Sequence, residues 1–260
     1  MLAYHSHNIH GATYQENDLV AFAEDLELLQ AEGCNLVSLS QVAESVIYGH
    51  ALPDRAVALS CDDGADYDFI DVLHETWGEQ TSFGTKIRQS GQGVLTSFVI
   101  ADPLAREEID KKCLAGVGRM NDFWWADAID SGVLHIGNHS WDHQHSCLER
   151  YANMPSERLE FRSVDTIEAA DYQLGQAMEF LRGKALNPGN ALFAYPYGHW
   201  TDYLVQEYLP HHYDAHRLVA AFTTNPEIVH AGSSRWLLPR FVFGQHWRNQ
   251  SELRYILKQL

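Results

Sequence analysis

A short apolar run that ends in two adjacent aspartates constrains this chain more than any other feature. The run Ala56–Leu59 is followed almost at once by Asp62, Asp63 and Gly64. Such a run is typical of a strand buried in a parallel sheet. Aspartate is a poor strand former, and a buried carboxylate pair requires a cation or a proton. Because the carboxyl ends of barrel strands carry catalytic groups, the pair indicates a site, although Asp-Asp-Gly also forms simple turns.

A second short strand pattern ends at Gly137 and Asn138, and two histidines, His139 and His143, follow it. If the chain turns helically there, this spacing puts both imidazoles on one face, where they can share a metal ion. One carboxylate from another strand end would complete three protein ligands and leave a position for water. That is the ligand count of a catalytic zinc site. A single His-x-x-x-His pattern is also common on protein surfaces.

Three motifs in this order resemble those of the polysaccharide deacetylases, the NodB-homology or carbohydrate esterase family 4 group. Residues Ser60–Gly64 are similar to the family's Thr-Phe-Asp-Asp-Gly motif, and His139–His143 to its His-Ser/Thr-x-x-His motif. Residues Phe193–Gly198 are similar to its Phe-Arg-x-Pro-Tyr-Gly motif. The resemblance extends over Leu2–Phe243. It implies a distorted (β/α) barrel with about seven parallel strands, and one catalytic domain over residues 1–260.

The resemblance also implies a function, the hydrolysis of N-acetyl groups on an amino-sugar glycan. By this resemblance, Asp63, His139 and His143 would bind one divalent metal ion. Zinc suits this ligand set, and cobalt, nickel or iron are not excluded by it. Asp62 would be the general base, while Tyr197 would bind the oxyanion through its backbone amide and wall the acetyl pocket with its ring.

The third motif departs from the family pattern. The family has an arginine that pairs with the catalytic aspartate, and Ala194 stands at that position here. Without a cation, Asp62 would be a stronger base but would be less well oriented. Arg240 lies at a predicted strand end and could supply the charge from elsewhere, or it could form only a structural salt bridge. The sequence leaves both alternatives open.

The general acid is the second departure. The family's Leu-x-x-His motif lies near the C-terminus, and nothing after Arg240 fits it, whereas Leu2–His5 does. A barrel has adjacent first and last strands, so moving one strand to the front preserves the site. The chain therefore resembles the circularly permuted branch that includes poly-N-acetylglucosamine deacetylases. His5 is the candidate acid, and His212 and His230 are its rivals.

Hydrophobic periodicity predicts alternating strands and helices. We expect a helix over Asp68–Glu75, a loop over Gly78–Gly93 and a strand over Trp236–Leu238. The longest helical pattern lies within Pro155–Arg182, and a final helix is expected over Ser251–Leu260.

Three side chains near the motifs have open roles. Trp124 and Trp125 could line a sugar cleft, but we expect them to pack against the barrel. Asp142 could support a neighbouring metal ligand, but we expect it to face water.

The composition of the chain limits the classes of partner that it can bind. The net charge is −17, from 18 basic and 35 acidic residues. This charge argues against nucleic acid or an anionic membrane as a partner, because phosphate binding requires a basic surface. A neutral or cationic sugar is compatible with it. Four cysteines without Cys-x-x-Cys spacing suggest free thiols.

The sequence also yields expectations about location and substrate. No apolar stretch is long enough to span a bilayer, and Met1–Tyr4 leads directly into a predicted strand without a secretory leader. We therefore expect a cytoplasmic enzyme that acts on a sugar intermediate of surface-polysaccharide synthesis, such as O-antigen. The alternatives are a non-catalytic carbohydrate-binding relative and an amide hydrolase with a small non-sugar substrate.

Overall fold

Ten strands are present in the computed structural model, which describes residues 1–114, 118–184 and 187–260. They are β1 (Leu2–Tyr4), β2 (Asn35–Val37), β3 (Ala56–Cys61), β4 (Val72–His74), β5 (Gly78–Gln80), β6 (Leu95–Val99), β7 (Leu134–Asn138), β8 (Leu192–Ala194), β9 (Ala220–Phe222) and β10 (Phe241–Val242).

The strands alternate with helices over most of the chain. The α-helices are α1 (Asp18–Ala31), α2 (Leu39–Tyr48), α3 (Phe83–Ser90), α4 (Pro103–Ile109), α5 (Trp125–Asp130), α6 (Ile167–Ala170), α7 (Gln176–Lys184), α8 (Leu209–His211), α9 (Tyr213–His216) and α10 (Gln250–Leu257). Single π turns follow α4 and α6 and precede α8. Among the described helices, none is both long and apolar enough to cross a membrane.

Seven parallel strands form one curled sheet in the order β10-β1-β3-β6-β7-β8-β9, and β2 pairs with the first half of β3. This confirms the predicted distorted (β/α) barrel. The first strand lies beside the last, with Leu2 opposite Phe241 and also opposite Leu59. The adjacency required by a circular permutation is therefore present. Because all seven strands are parallel, their carboxyl ends lie at one edge of the sheet.

Helix ends follow local sequence signals. The Asn17 side chain caps α1 by accepting the N–H groups of Leu19 and Val20. Ser38 and Gln41 form a reciprocal capping box at the start of α2. These caps fix where the chain leaves the preceding strand or loop.

A buried polar group ties the N-terminal strand to the outer helices. The Asp25 carboxylate on α1 accepts hydrogen bonds from Tyr4 Oη at 3.1 Å, Tyr14 Oη at 2.6 Å and Trp247 Nε1 at 2.8 Å. The Tyr4 ring also meets the Phe22 ring edge to face, with centroids 5.0 Å apart. This layer therefore joins β1, α1 and the segment before α10.

Three local predictions were wrong. Residues Asp68–Glu75 do not form a helix, since β4 begins at Val72, which is buried while Leu73 is exposed, an alternation typical of a strand. The predicted loop Gly78–Gly93 contains β5 and α3, and α3 buries Phe83 and Ile87 one turn apart. The stretch Trp236–Leu238 makes only an isolated bridge from Leu238 to Phe222.

Three other predictions hold in the structure. Trp124 and Trp125 are fully buried in the main core, so they pack against the barrel and do not line a cleft. The longest helical pattern corresponds to α6, a π turn and α7 in succession. The final helix, α10, begins one residue earlier than predicted and ends three residues earlier than predicted.

Candidate functional site

A cleft of about 490 Å³ opens at the carboxyl edge of the sheet. It is lined by side chains that follow β1, β3, β7 and β8, because the ends of these parallel strands converge. All predicted site residues except Arg240 line it, namely His5, Asp62, Asp63, His139, His143 and Tyr197. The two rival histidines lie elsewhere. His212 stacks on Tyr208, and His230 lines a separate cavity beside Met1, at the other end of the strands.

The three predicted metal ligands are brought together around one carboxylate oxygen. The Nε2 atoms of His139 and His143 lie 3.6 and 3.5 Å from Asp63 Oδ1. One ligand atom from each residue lies within 4.8 Å of the other two. Both histidines are buried, and Asp63 is partly exposed at the cleft floor. Two imidazoles and a carboxylate facing one point suit a divalent cation such as zinc.

A hydrogen bond fixes the orientation of His139. Its Nδ1 atom lies 2.8 Å from the carbonyl oxygen of Ala194, which can only accept, so Nδ1 carries the proton. The Nε2 lone pair is thus left free toward Asp63. Histidines that bind metals are commonly oriented in this way by their second nitrogen.

The segment that carries His143 is a tight turn and not the helical turn expected from its spacing. Asn138 Oδ1 accepts the Ser140 N–H at 2.8 Å, and Ser140 Oγ accepts the His143 N–H at 2.9 Å. Ser140 and His143 have φ values of 70° and 64°, in the left-handed region that non-glycine residues rarely occupy. Strained residues of this kind cluster at functional sites.

The turn after β3 also contains residues with left-handed backbone angles. Asp63 has a φ of 75° and Gly64 a φ of 79°. A Cβ atom at Gly64 would lie 2.6 Å from Val99 Cγ1, so no larger residue fits without movement. The glycine of the first motif therefore lets the chain turn against β6 and point Asp63 into the cleft.

Arg240 is fully buried and pairs with Asp62 through two hydrogen bonds. Its Nη1 and Nη2 atoms donate to Asp62 Oδ1 and Oδ2 at 2.7 and 2.8 Å. Nη1 also donates to Ser60 Oγ at 3.0 Å, and Nε donates to the Thr223 carbonyl at 3.2 Å. The guanidinium lies over the Phe98 ring. The cation absent at position 194 is thus supplied by Arg240, directly before β10, so the expectation of an unpaired, more basic Asp62 does not hold.

The charges in the cleft hold both aspartates ionised. Burial by itself raises the pKa of Asp62, but Arg240 and then His139 outweigh it, so this pKa lies below its ordinary value. Burial also opposes the charge of Asp63, but the histidines that face it, His139, His5 and His143, outweigh burial, so its pKa lies well below its ordinary value. Burial and the neighbouring His139 hold the pKa of His143 well below its ordinary value, so this ring is neutral and able to bind a metal.

His5 enters the cleft from the end of β1. Its Nε2 atom lies 4.0 Å from Asp63 Oδ2, the carboxylate oxygen farther from His139 and His143. His7 also lines the cleft, with Nδ1 3.9 Å from the same oxygen. Two positions apart on an extended segment, the two histidines can share one side, and this spacing could have identified His7.

Tyr197 forms the cleft wall opposite the barrel. Its ring centroid lies 4.5 Å from that of His143, and the side chain is 37% exposed. Its φ of 57° is again left-handed, directly after Pro196. The oxyanion role of its backbone amide stays a prediction. His145, which the sequence analysis did not single out, lies 6.0 Å from the Tyr197 ring and also lines the cleft.

Asp142 does not face water, and that expectation was wrong. The residue is fully buried. Its carboxylate accepts Tyr151 Oη at 2.6 Å, Gln173 Nε2 at 2.7 Å and Arg150 Nη1 at 3.1 Å. These donors lie 8 to 31 positions away along the chain, so a short sequence window could not reveal them. Asp142 thereby anchors the turn between the two histidine ligands.

Comparisons with known proteins were made with the sequence and with the structure. No protein-family model and no curated protein matches the sequence. IcaB from Ammonifex degensii superposes with a TM-score of 0.67 at 16% identity, over 97% of this chain and 95% of that one. A de-N-acetylase from Aggregatibacter actinomycetemcomitans gives 0.64 at 14% identity, over 98% of both chains.

A third solved structure is the BpsB deacetylase domain from Bordetella bronchiseptica, with a TM-score of 0.63 at 14% identity. It is matched over 93% of this chain and 94% of that domain. At such low identity the similarity establishes architecture, and it extends over nearly the whole length of each chain. This chain has the NodB-like fold of the polysaccharide deacetylases.

Proposed function

We propose that this chain is a metal-dependent hydrolase that removes N-acetyl groups from an amino-sugar glycan. The observation that carries the proposal is the convergence of Asp63, His139 and His143 beside a second buried carboxylate, Asp62. Solved structures of the same fold bear the names deacetylase and de-N-acetylase, which supports the same reaction class here. The net charge of −17 suits a neutral or cationic glycan better than an anionic one.

The three ligands fit a divalent cation in number, type and orientation. His139 has its Nδ1 proton held by a carbonyl, which leaves Nε2 free, and the pKa of His143 favours its neutral form. The His143 Nδ1 atom is buried and has no hydrogen-bond partner among the residues that the structure describes. Zinc is the metal we expect, and cobalt, nickel or iron would fit the same set. When bound, such an ion lowers the pKa of a water molecule and polarises the amide carbonyl.

The protein's own residues divide the remaining chemistry. Asp62 is ionised and adjacent to Asp63, so it can accept the proton of the attacking water. Arg240 holds both of its oxygens and limits its rotation. Cleavage of the C–N bond releases acetate and requires one proton on the leaving nitrogen. The Nε2 atom of His5 lies 4.0 Å from Asp63 Oδ2, and His5 is our candidate donor. The Tyr197 amide would donate a hydrogen bond to the developing oxyanion.

The proposal is tested with N-acetylglucosamine oligomers and an assay for released acetate. We expect wild-type protein to bind about one equivalent of tightly held zinc in this site and to lose activity on chelation, with recovery on zinc addition. His139→Ala should lose this metal and the activity. His212→Ala is the matched control, because His212 packs on Tyr208 away from the cleft and should retain both. Full activity in His139→Ala would refute the assignment.

Substrate length and context have a separate test. The O-antigen prediction requires a preference for short, carrier-linked sugar intermediates over finished polymer. Equal or faster release of acetate from long polymer would count against it while leaving the deacetylase proposal intact. Release from small non-sugar amides alone would favour the amide hydrolase alternative instead.

A further inference from the structure

Two cysteines and a histidine that the proposed reaction does not use meet at the rim of the cleft. Cys113 lies on the π turn Asp110–Leu114 that follows α4. His145 and Cys147 lie on the loop after His143. One ligand atom from each of the three residues lies within 4.8 Å of the other two. Cys113 and His145 also line the cleft, whereas Cys147 is partly covered.

The two segments are held together by other contacts as well. Lys112 Nζ donates to the Cys147 carbonyl at 2.8 Å, directly beside the thiols. Cys147 packs on an apolar cluster that includes Ile109 of α4. The thiols therefore face each other because the surrounding backbone positions them. A π turn at this point also fits, since such irregular turns are frequent at functional sites.

The donor set differs in kind from that of the first site. Two thiols and one imidazole favour zinc or a softer cation, whereas Asp63, His139 and His143 offer no sulfur. Zinc–sulfur bonds of about 2.3 Å in a tetrahedron place two sulfurs about 3.8 Å apart, so a shift of about 1 Å suffices from the present spacing. His145 Nδ1 accepts the Cys147 N–H at 3.1 Å, and giving up this bond frees a nitrogen lone pair.

The Cys147 thiol must lose its proton before it can bind a cation. Burial and the neighbouring Cys113 thiol raise the pKa of Cys147 to about 12, so this thiol is protonated at neutral pH. Metal ions bind cysteine as the thiolate and displace its proton. Two thiols and an imidazole that converge on one point form a better site for a metal ion than two thiols would form alone.

We propose that Cys113, His145 and Cys147 form a second metal site, which binds Zn²⁺ or a softer ion such as Cd²⁺ or Cu⁺. Occupancy links the π turn Asp110–Leu114 to the loop that follows His143. It also places a cation beside Tyr197, so it bears on the wall of the cleft.

The test uses Co²⁺, whose thiolate complexes show an intense near-ultraviolet charge-transfer absorption that carboxylate and imidazole ligands do not give. Wild-type protein, kept reduced with a phosphine, should develop this band. The Cys113→Ser/Cys147→Ser double variant should lose it, and its zinc stoichiometry should fall from about two equivalents to about one. Cys34→Ser is the matched control, because Cys34 is a buried free thiol elsewhere and its loss should leave the band unchanged.

Single substitutions show whether the double variant loses the band only because it misfolds. Cys113 is exposed, so Cys113→Ser should fold normally and weaken Co²⁺ binding at this site by about tenfold or more. His139→Ala should keep the band even though it loses the first site. Absence of the band in wild-type protein, or its persistence in the double variant, would overturn the second site. The band reports only sulfur ligation, so its outcome is independent of whether the first site supports deacetylation.

Discussion

Arg240→Met removes the cation that faces both oxygens of Asp62 and leaves a buried carboxylate without a charged partner. Breaking a buried ion pair in this way costs about 3–5 kcal/mol of the free energy of unfolding. Domains of this kind have about 5–15 kcal/mol in total, so we expect a folded but clearly destabilised variant. Urea unfolding at constant pH, with wild-type protein alongside, measures the loss.

The pH dependence gives the sharper test. In wild-type protein, burial raises the pKa of Asp62 but Arg240 outweighs it, and the net pKa lies below the ordinary value. The pair therefore stabilises the fold above the unfolded pKa, and this contribution is lost as pH falls through the folded pKa. In Arg240→Met, burial is no longer offset by Arg240, so the pKa rises. The stability deficit should thus be largest at neutral pH and should shrink as the solution is acidified toward pH 4.

Activity should follow the same titration if Asp62 is the base. The acid limb of the pH–rate profile should move upward in Arg240→Met, and the rate should fall about tenfold for each pH unit below the new pKa. The acid limb of Arg240→Lys should lie between those of wild-type protein and Arg240→Met. Lysine keeps the positive charge but cannot donate to both oxygens of Asp62 as arginine does. Acetate release across pH, with metal content verified in each sample, reports the shift.

Arg106→Met is the matched control. Arg106 is equally buried and pairs with Asp122 at 3.3 Å, but it does not line the cleft. It should lose stability without moving the acid limb. If Arg240→Met kept an unchanged acid limb with metal bound, Arg240 would be a structural salt bridge only, and the reasoning on Asp62 would be refuted.

Three further substitutions test separate parts of the site and the fold. His5→Ala should keep its metal and its fold but release acetate at least about tenfold more slowly, whereas full activity with His5 absent would transfer the acid role elsewhere. Asp142→Asn should lower the free energy of unfolding by about 2–4 kcal/mol and weaken metal binding, because the donors around the buried carboxylate lose their charged acceptor; equilibrium dialysis that showed unchanged affinity would contradict the anchoring role. Burial raises the pKa of Asp25 to about 6 against its three donors, so its folded form holds a proton more tightly than its unfolded form. The stability of wild-type protein relative to Asp25→Asn should therefore fall by about 2 kcal/mol between pH 4 and pH 6.5, and a pH-independent difference in urea unfolding would count against it.

The parts of the site that lie within one strand end were predictable from the sequence. Apolar runs that stop at Asp62 and before His139 identify buried parallel strands, and polar residues at such points have few structural explanations. The same local logic would have found α3, since Ser82 caps it and Gly91 ends it in a left-handed conformation. Because Gly78–Gly93 is polar and contains several glycines, we predicted a loop there instead.

Long-range contacts were not predictable in this way. Arg240 reaches Asp62 across 178 positions, and β10, which follows it, is only two residues long. No periodicity in so short a strand sets the direction of the arginine side chain. Asp142 likewise finds donors 8 to 31 positions away, and each of them is an ordinary polar residue when taken alone. Whether a lone charged residue is buried depends on tertiary neighbours that a sequence window does not contain.

The permuted first strand makes the position of His5 depend on the pairing of β1 on both sides. The Asp62 N–H donates to the Tyr4 carbonyl at 3.0 Å, and the Phe243 N–H donates to the Ala3 carbonyl at 2.9 Å. Tyr4 lies opposite Cys61, so His5 is level with Asp62. A slip of two residues would preserve which side chains face the core but would move His5 by about 6.6 Å along the strand, out of reach of Asp63. The buried bonds of Tyr4 and Trp247 to Asp25 oppose such a slip, because they tie β1 to α1 and to the segment before α10. The role that we propose for His5 thus requires β1 to be bonded along both edges and beneath the Tyr4 ring, and the structure shows each of these contacts.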